Sequence, residues 1–103
     1  MIVEYIRYAV PEDRGPAFVA AYDAARGPLM ASPHCTSFDL CRCVEDPTQF
    51  VLRIEWTSAE DHMQGFRGSP EFRQFFALVK PFYEDIQEMR HYERLLEGVG
   101  ADG

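Results

Sequence analysis

The feature that most constrains the fold of this chain is the order in which strand-like and helix-like hydrophobic patterns follow one another along the sequence. Residues 35–44 and 49–56 divide their side chains between two faces with the period of two that is typical of β-strands, and residues 2–10 are rich in β-branched and aromatic residues and end at Pro11, which also indicates a strand. Residues 11–28 and 69–81 repeat apolar residues at i, i+3, i+4 and i+7, as one face of a helix does. Residues 85–96 suit a strand or a helix, and we predict a strand because it completes a β-α-β-β-α-β order.

Capping and turn residues set the predicted ends of the helices. Gly27 and Pro28 predict the end of the first helix, and Ser69 followed by Pro70 predicts the start of the last one. A short helix is predicted between the third strand and this last helix. Its apolar stripe is Ala59, Met63 and Phe66, and its capping pair is Thr57 with Glu60 or Ser58 with Asp61.

Strand parity assigns side chains to the two faces of the predicted sheet. In the third strand Trp56 shares its parity with Phe50, Leu52 and Ile54, so we expect it to face the helices, with Glu55 on the opposite face. In the first strand Ile2, Glu4, Ile6 and Tyr8 share one face. Because buried charges need partners, ion pairs are expected for the charged residues of the strands. These are Arg7, Arg53, Glu55, Arg90 and Arg94.

The composition excludes two classes of partner. Ten Lys and Arg residues against 17 Asp and Glu residues give a net charge of -7, so no basic face is available for nucleic acid or for an anionic membrane. No apolar run is long enough for a membrane span, and we expect a cytoplasmic protein. A hydrophobic fraction of 47% in 103 residues predicts a single globular domain over residues 1–97, with a flexible tail at 98–103.

Three cysteines, an odd number, predict reduced thiols rather than a disulfide framework. Cys41 and Cys43 lie two residues apart on one strand, which is a poor geometry for a bridge. Together with His34 and Cys35 they could be taken for zinc ligands. Zinc ligands usually cluster across a turn, whereas these residues lie along an extended strand, so no metal site is predicted.

The element order, the stretch "FVLRIEWTSAEDHMQGFRGSPEFRQFF" and a closing strand with "HYERL" resemble the antibiotic biosynthesis monooxygenase family over nearly the whole chain. The resemblance implies a ferredoxin-like α+β domain with an antiparallel four-stranded sheet. It also implies a homodimer in which two sheets stack into a dimeric α+β barrel, and a pocket between each sheet and its helices. The family includes cofactor-independent oxygenases, haem-degrading enzymes, an isomerase and members without known activity, so the fold does not decide the reaction.

The candidate site residues are those that could reach the pocket implied by this resemblance. His62 is the candidate general base, and the alternative is a solvated surface residue. Trp56 is either a pocket wall or a core residue whose N–H donates to a loop carbonyl. Glu4 is either a pocket carboxylate or the ion-pair partner of Arg42 or of a basic residue in strand four. The other expected substrate contacts are Ile6, Tyr8, Phe66, Phe72, Phe76 and His91.

These residues and the resemblance predict a monooxygenase that needs no cofactor. A small aromatic substrate, a quinol or an anthrone, would lie between Trp56 and the helix phenylalanines, lose its hydroxyl proton to a base and reduce O2 itself. The alternative is a non-catalytic dimer that binds a small hydrophobic ligand or accompanies a biosynthetic enzyme. Haem binding is a third interpretation, disfavoured because Ile6 stands where the haem-degrading branch has an Asn in strand one, and the chain contains no Asn.

Overall fold

The computed structural model describes residues 1–101 of the chain. Its elements follow the predicted β-α-β-β-α-β order, and the last of them is a strand, as predicted. They are β1 (Ile2–Ala9), α1 (Gly15–Ala31), β2 (Cys35–Arg42), β3 (Gln49–Trp56), a π-helix (Asp61–Phe66), α2 (Pro70–Val79) and β4 (Ile86–Glu93), with 3-10 turns at Glu12–Arg14 and Lys80–Asp85. No helix in the described part of the chain is long and apolar enough to cross a membrane.

The four strands form one antiparallel sheet in the order β2-β3-β1-β4, which confirms the ferredoxin-like α+β fold. β1 is therefore a central strand with a neighbour on each side. In its register Glu4 lies opposite Ile54 of β3 and opposite His91 of β4. Because directly opposite residues of paired strands point to the same face, this register places Glu4 and His91 side by side.

The core lies between one face of the sheet and the helices. The predicted inner set of β3 is confirmed, because Phe50, Leu52, Ile54 and Trp56 are at most 2% exposed while the residues between them are half-buried. Burying each such side chain stabilises the fold by roughly 1.5–3 kcal/mol relative to leaving it in water. Phe18 of α1 packs into the same core with an exposed fraction of 0%.

Helix α1 continues past its predicted end. Gly27 and Pro28 were expected to stop it, but the helix runs to Ala31 with Pro28 inside its last turns. A proline in a helix interior costs about 3 kcal/mol, because it removes one hydrogen bond and crowds the preceding turn. Leu29, one residue later, is 0% exposed, and burying its side chain recovers an energy of similar size. Tertiary packing therefore overrides the local stop signal.

The short helix after β3 is also different from the prediction. Its buried residues are His62 and Phe66, whereas Met63 of the predicted stripe is 48% exposed and Ala59 is exposed as well. The cause is π-helical geometry: the Arg67 N–H donates to the His62 carbonyl at 3.2 Å, an i→i+5 bond. Ser58 caps the segment by accepting from the Asp61 N–H at 2.9 Å, which is the second of the two capping alternatives.

Small differences occur at the ends of the other elements. β2 ends at Arg42 instead of residue 44, and Val44 is 93% exposed, because the chain turns at Asp46, whose side chain accepts from the Thr48 N–H at 3.1 Å. All three cysteines are free thiols, as predicted. Residues 98–100 form no regular element, and the last two residues of the expected tail, 102 and 103, lie outside the described residues.

The outer face of the sheet, opposite the helices, carries the charged strand residues, and these pair with one another. Glu55 accepts hydrogen bonds from Ser37 Oγ at 3.0 Å, from Arg53 Nη2 at 2.5 Å and from Arg94 Nη2. These donors, Arg94 foremost, lower the pKa of Glu55 below its usual value of 4.5. Elsewhere on this face Glu88 lies 3.9 Å from Arg7 and 3.5 Å from Arg90. The predicted pairing of the strand charges is therefore made within one chain.

Candidate functional site

A cavity of about 500 Å³ lies between the inner face of the sheet and the helices. Its volume is within the range of small-molecule sites, roughly 300–1,000 Å³. Most of its wall is aromatic or aliphatic, and its polar groups are few. The lining residues are Glu4, Ile6, Tyr8, Tyr22, Ile54, Trp56, His62, Phe66, Arg67, Phe72, Phe75, Phe76, Val79, Tyr83, Ile86 and Met89.

Glu4 is the carboxylate of this cavity, and it is only 2% exposed. Its Oε1 atom accepts a hydrogen bond from the indole N–H of Trp56 at 3.1 Å. Burial raises the pKa of Glu4 from 4.5 to about 7, because a charge is poorly solvated there. The Trp56 hydrogen bond and the positive charge of Arg67 oppose this shift and are smaller. A carboxylate without a direct cation partner in the core is costly, which makes it a candidate functional group.

His62 packs directly beside Glu4. Its ring stacks on Trp56 with 4.3 Å between ring centroids and 15° between ring planes. Its Nε2 atom lies 3.6 Å from Glu4 Oε1, and its Nδ1 atom shares a hydrogen bond with His91 Nε2 at 2.6 Å. Burial, and then the charges of His91 and Arg67, lower the pKa of His62 from 6.5 to about 3. The imidazole is therefore neutral over the physiological pH range.

His91 of β4 connects this group to the surface. Its side chain is 29% exposed, and its Nε2 atom lies 3.5 Å from Glu4 Oε2. Burial and the charge of Arg67 lower the pKa of His91 as well. Glu4, His62 and His91, here called the inner cluster, come from β1, the π-helix and β4, and one potential ligand atom of each lies within 4.8 Å of the others. Such a cluster can accept, hold or transfer a proton beside an apolar cavity.

The aromatic wall is itself closely packed. Phe66 lies 5.0 Å from Trp56 and 5.5 Å from Phe72 between ring centroids, and Phe72 stacks on Phe76 at 5.7 Å. At the other end of the cavity the hydroxyls of Tyr8 and Tyr22 form a hydrogen bond, and burial raises the pKa of Tyr8 to about 12. A flat aromatic ligand would meet ring faces and edges over most of its surface.

The structure brings the predicted site residues together. Every candidate named from the sequence lines the cavity except His91, which contacts two residues that do. The alternative for His62 is wrong, because it is 4% exposed rather than solvated. Trp56 is a core residue, 0% exposed, and also lines the cavity, but its N–H donates to Glu4 rather than to the expected loop carbonyl. Arg42 is not the partner of Glu4, because it lies opposite Phe50 at the far end of β2. His91 of β4 does lie beside Glu4, with Nε2 3.5 Å from Oε2, but because its pKa is lowered this contact is not the ion pair that was expected.

Other cavity residues were not found from the sequence. The most important is Arg67, the one cationic residue of the lining, which lies on the exposed side with Nη2 3.8 Å from Met89 Sδ. Only recognition of the i→i+5 turn would have placed it near His62. His34 and the three cysteines do not converge on a zinc site: within residues 1–101 the inner cluster alone brings three potential ligands together.

Comparison with known proteins identifies the family. A family model described as antibiotic biosynthesis monooxygenase matches residues 1–78, three quarters of the chain. The chain belongs to this family. Among curated proteins, the uncharacterized protein YczJ of Bacillus subtilis is 37% identical over 54 residues, which are 52% of this chain and 57% of YczJ. The match thus spans little more than half of that relative.

Solved structures share the whole fold of this family member. A protein from Bordetella bronchiseptica with the same family description is 28% identical, with a TM-score of 0.77 over 92% of this chain and 97% of that one. Rv0793 from Mycobacterium tuberculosis is 24% identical, with a TM-score of 0.71 over 95% and 98%. SnoaB from Streptomyces nogalater, a cofactor-independent oxygenase, is 13% identical, with a TM-score of 0.77 over 93% and 94%. At these last two identities the likeness extends to the fold alone.

Proposed function

We propose that this protein is a cofactor-independent monooxygenase that oxidises a small aromatic substrate, a quinol or an anthrone, with O2. The observation that carries the proposal is the cavity itself: an aromatic-walled space of about 500 Å³ whose wall includes the buried carboxylate of Glu4 and the imidazole of His62, with His91 in contact with both. Membership of the family supports the reaction class, and SnoaB, a cofactor-independent oxygenase, has the same fold. The proposal needs no bound redox group because the substrate supplies the electrons.

In the proposed reaction Glu4 takes the hydroxyl proton of the bound substrate. Both ring nitrogens of His62 already have neighbours, His91 at 2.6 Å and Glu4 at 3.6 Å, so His62 is better placed to hold Glu4 than to contact the substrate. A carboxylate can accept about four hydrogen bonds, so Glu4 can serve the Trp56 N–H and a substrate hydroxyl together. This assignment modifies the expectation from the sequence, in which His62 was the base.

The substrate anion then reacts with O2. For an anthrone, deprotonation of the enol form gives an anion that transfers electrons to O2, and a C–O bond forms to give a peroxide anion at the ring carbon. Protonated Glu4 returns its proton to this anion, which gives the hydroperoxide. Loss of water from that hydroperoxide leaves a carbonyl, so one oxygen atom enters the product and the other leaves as water. Arg67 supplies positive charge near the anion, and the aromatic wall excludes water and holds the ring.

Oxygen uptake with a panel of anthrones and quinols tests this function. We expect turnover above the rate of spontaneous oxidation, with one O2 consumed for each oxygen atom that enters the product. Heat-denatured protein is the control for spontaneous oxidation. Quenching of Trp56 fluorescence by the same compounds without any oxygen uptake would reject the enzyme and support the ligand-binding alternative.

We also propose that two copies of the chain pair through the outer face of the sheet. Leu95 and Leu96 follow β4 after Arg94 and are 86% and 92% exposed, and Tyr5 and Tyr92 form an edge-to-face pair that is also partly exposed. A second copy would cover these apolar side chains. Light scattering should give twice the 11.9 kDa chain mass, and Leu96→Glu should shift the protein toward the monomer. A monomeric wild-type protein at micromolar concentration would contradict the pairing.

A further inference from the structure

The inner cluster has the composition of a metal site as well as that of a proton acceptor. One carboxylate and two imidazoles from three different elements meet at one end of the cavity, with one ligand atom of each within 4.8 Å of the others. We propose that Glu4, His62 and His91 bind a divalent first-row transition-metal ion in a 2-His-1-carboxylate arrangement. This inference goes beyond the proposed oxygenase and does not depend on it.

The distances suit such an ion. His62 Nδ1 and His91 Nε2 are 2.6 Å apart, and His91 Nε2 lies 3.5 Å from Glu4 Oε2. An ion with bonds of about 2.0–2.2 Å to nitrogen and oxygen needs neighbouring ligand atoms roughly 3 Å apart. The observed separations lie on both sides of that value. The third pair, His62 with Glu4, lies within 4.8 Å. Side-chain rotations that separate the two histidines and bring His62 and Glu4 to roughly 3 Å would admit the ion, and the hydrogen bond between the two histidines would be replaced.

The surroundings of the cluster hold its ligands in place. The Trp56 N–H donates to Glu4 Oε1 and leaves Oε2 for an ion, while the indole ring stacks on His62. Hydrogen bonds of this kind to metal-bound carboxylates orient the ligand and raise the affinity of the site. Glu4 and His62 are almost fully buried, so both are already desolvated. The cavity beside them offers room for further ligands of the ion.

The donor types restrict the class of ion. Two imidazole nitrogens favour Zn²⁺, Fe²⁺, Co²⁺, Ni²⁺ or Cu²⁺ over Mg²⁺ and Ca²⁺, which prefer oxygen ligands. Arg67 adds a positive charge nearby, and the Glu4 carboxylate offsets part of it. A bound ion would occupy the carboxylate that the proposed oxygenase uses as its base. Metal binding should therefore suppress oxygen uptake.

Direct metal titration tests the inference without any substrate. Protein without an affinity tag is stripped with a chelator and titrated with Zn²⁺ by calorimetry and with Co²⁺ by visible absorption, and Mg²⁺ serves as the negative control. We expect one Zn²⁺ or Co²⁺ per chain and no Mg²⁺. Trp56, the only tryptophan, contacts both Glu4 and His62, so bound Co²⁺ should quench its fluorescence. If neither Zn²⁺ nor Co²⁺ showed saturable one-to-one binding, the proposal would be overturned.

Histidine variants locate the site. His91→Ala should weaken Zn²⁺ binding by at least about 100-fold, because it removes a ligand. His34→Ala is the matched control, since His34 is the one histidine outside the cluster, and it should bind as the wild type does. His91→Gln is a second variant without the imidazole. Circular dichroism of both His91 variants checks that they are folded. Unchanged affinity in a folded His91 variant, or equal losses in the His34 and His91 variants, would overturn the inference.

The two proposals fail in different ways. Zn²⁺ binding without oxygen uptake by the metal-free protein leaves the metal site and rejects the cofactor-independent oxygenase. Oxygen uptake without Zn²⁺ binding rejects the metal site and leaves the oxygenase. Uptake by the metal-free protein that one equivalent of Zn²⁺ suppresses would support both.

Discussion

Two glutamates on neighbouring strands of the sheet have opposite surroundings. Glu4 of β1 points to the inner face, where it meets an indole and two imidazoles. Glu55 of β3 points to the outer face, where it binds Arg53, Arg94 and Ser37. The pKa of Glu4 is raised to about 7, chiefly by burial, whereas the pKa of Glu55 is lowered, chiefly by Arg94.

The difference separates a structural carboxylate from one available for chemistry. Glu55 is held ionised by two guanidinium groups, and its oxygens are engaged in holding strands together. Glu4 lies beside a cavity, is desolvated, and has no cation in direct contact, so its proton or its metal affinity can change during function. Desolvated titratable groups beside a cavity, such as Glu4, occur at functional sites more often than elsewhere in a fold. Identical substitutions at the two positions should therefore have different effects.

The largest expected contrast is in turnover. With the best substrate of the oxygen-uptake panel, Glu4→Gln should lower kcat/KM by about 10²–10⁴-fold, the usual contribution of a positioned base. Glu55→Gln should change it by no more than about twofold, as expected for a substitution that does not touch the cavity. Initial rates of oxygen uptake at pH 7 measure both. Equal losses in the two variants would mean that Glu4 acts through the fold and not through the reaction.

The second contrast is in stability, and here Glu4→Gln should be favourable. The pKa of Glu4 is about 7 in the folded protein and 4.5 in the unfolded chain, so between these pH values the native state binds more protons and wild-type stability falls as pH rises. Glutamine avoids the buried charge. We expect Glu4→Gln to match the wild type near pH 4.5 and to exceed it by up to about 3 kcal/mol above pH 7.

Urea denaturation of chelator-treated protein between pH 4.5 and 8 measures this difference. His62 is neutral in the folded state throughout that window, because its pKa is lowered to about 3, and it contributes equally to both proteins. Subtracting the two stability curves therefore gives the effect of Glu4 together with that of its 3.5 Å contact with His91. A constant difference over the whole range would show that Glu4 does not titrate within it.

How far the sequence predicts this site depends on which element carries each residue. Strand parity is a strong local rule, so the sequence alone places Glu4 and Trp56 on the same face as the core residues of their strands. The family resemblance supplies the pocket between sheet and helices. His91 is a candidate from the sequence, but its contact with Glu4 depends on the register of β1 and β4, which separation along the chain does not reveal.

The helical side of the site is harder to predict for a physical reason. A π-helix has no clear sequence signature, and its i→i+5 bond rotates side chains away from the positions that an α-helical wheel gives. The stripe through Met63 was wrong for this reason, and the α-helical pattern showed no partner for His62. The continuation of α1 through Pro28 was missed because burial of Leu29, a tertiary effect, overrides the local signal.

A smaller effect of opposite sign is expected for Glu55→Gln. The pKa of Glu55 is lowered in the folded protein, so its stabilisation is present above the unfolded value of 4.5 and is lost as pH falls through the folded value. Because the ion pairs of Glu55 lie on the outer face of the sheet, we expect Glu55→Gln to lower the free energy of unfolding by only about 1 kcal/mol at pH 7. Urea denaturation should show the loss shrinking as the pH falls below 4. If Glu55→Gln instead stabilised the protein at pH 7, the two glutamates would not have opposite effects on stability.

The smallest predicted effect concerns the neutral donor on the outer face. Ser37 Oγ donates to Glu55 Oε2 at 3.0 Å, as the Trp56 N–H donates to Glu4 Oε1 on the inner face. Ser37→Ala should cost about 0.5 kcal/mol at pH 7, because Arg53 and Arg94 keep Glu55 ionised and water can replace the hydroxyl at this partly exposed position. Urea denaturation at pH 7 and at pH 3 measures it, and the loss should be smaller at pH 3. A loss at pH 7 as large as that of Glu55→Gln would show that the hydroxyl, and not the arginines, holds this carboxylate in place.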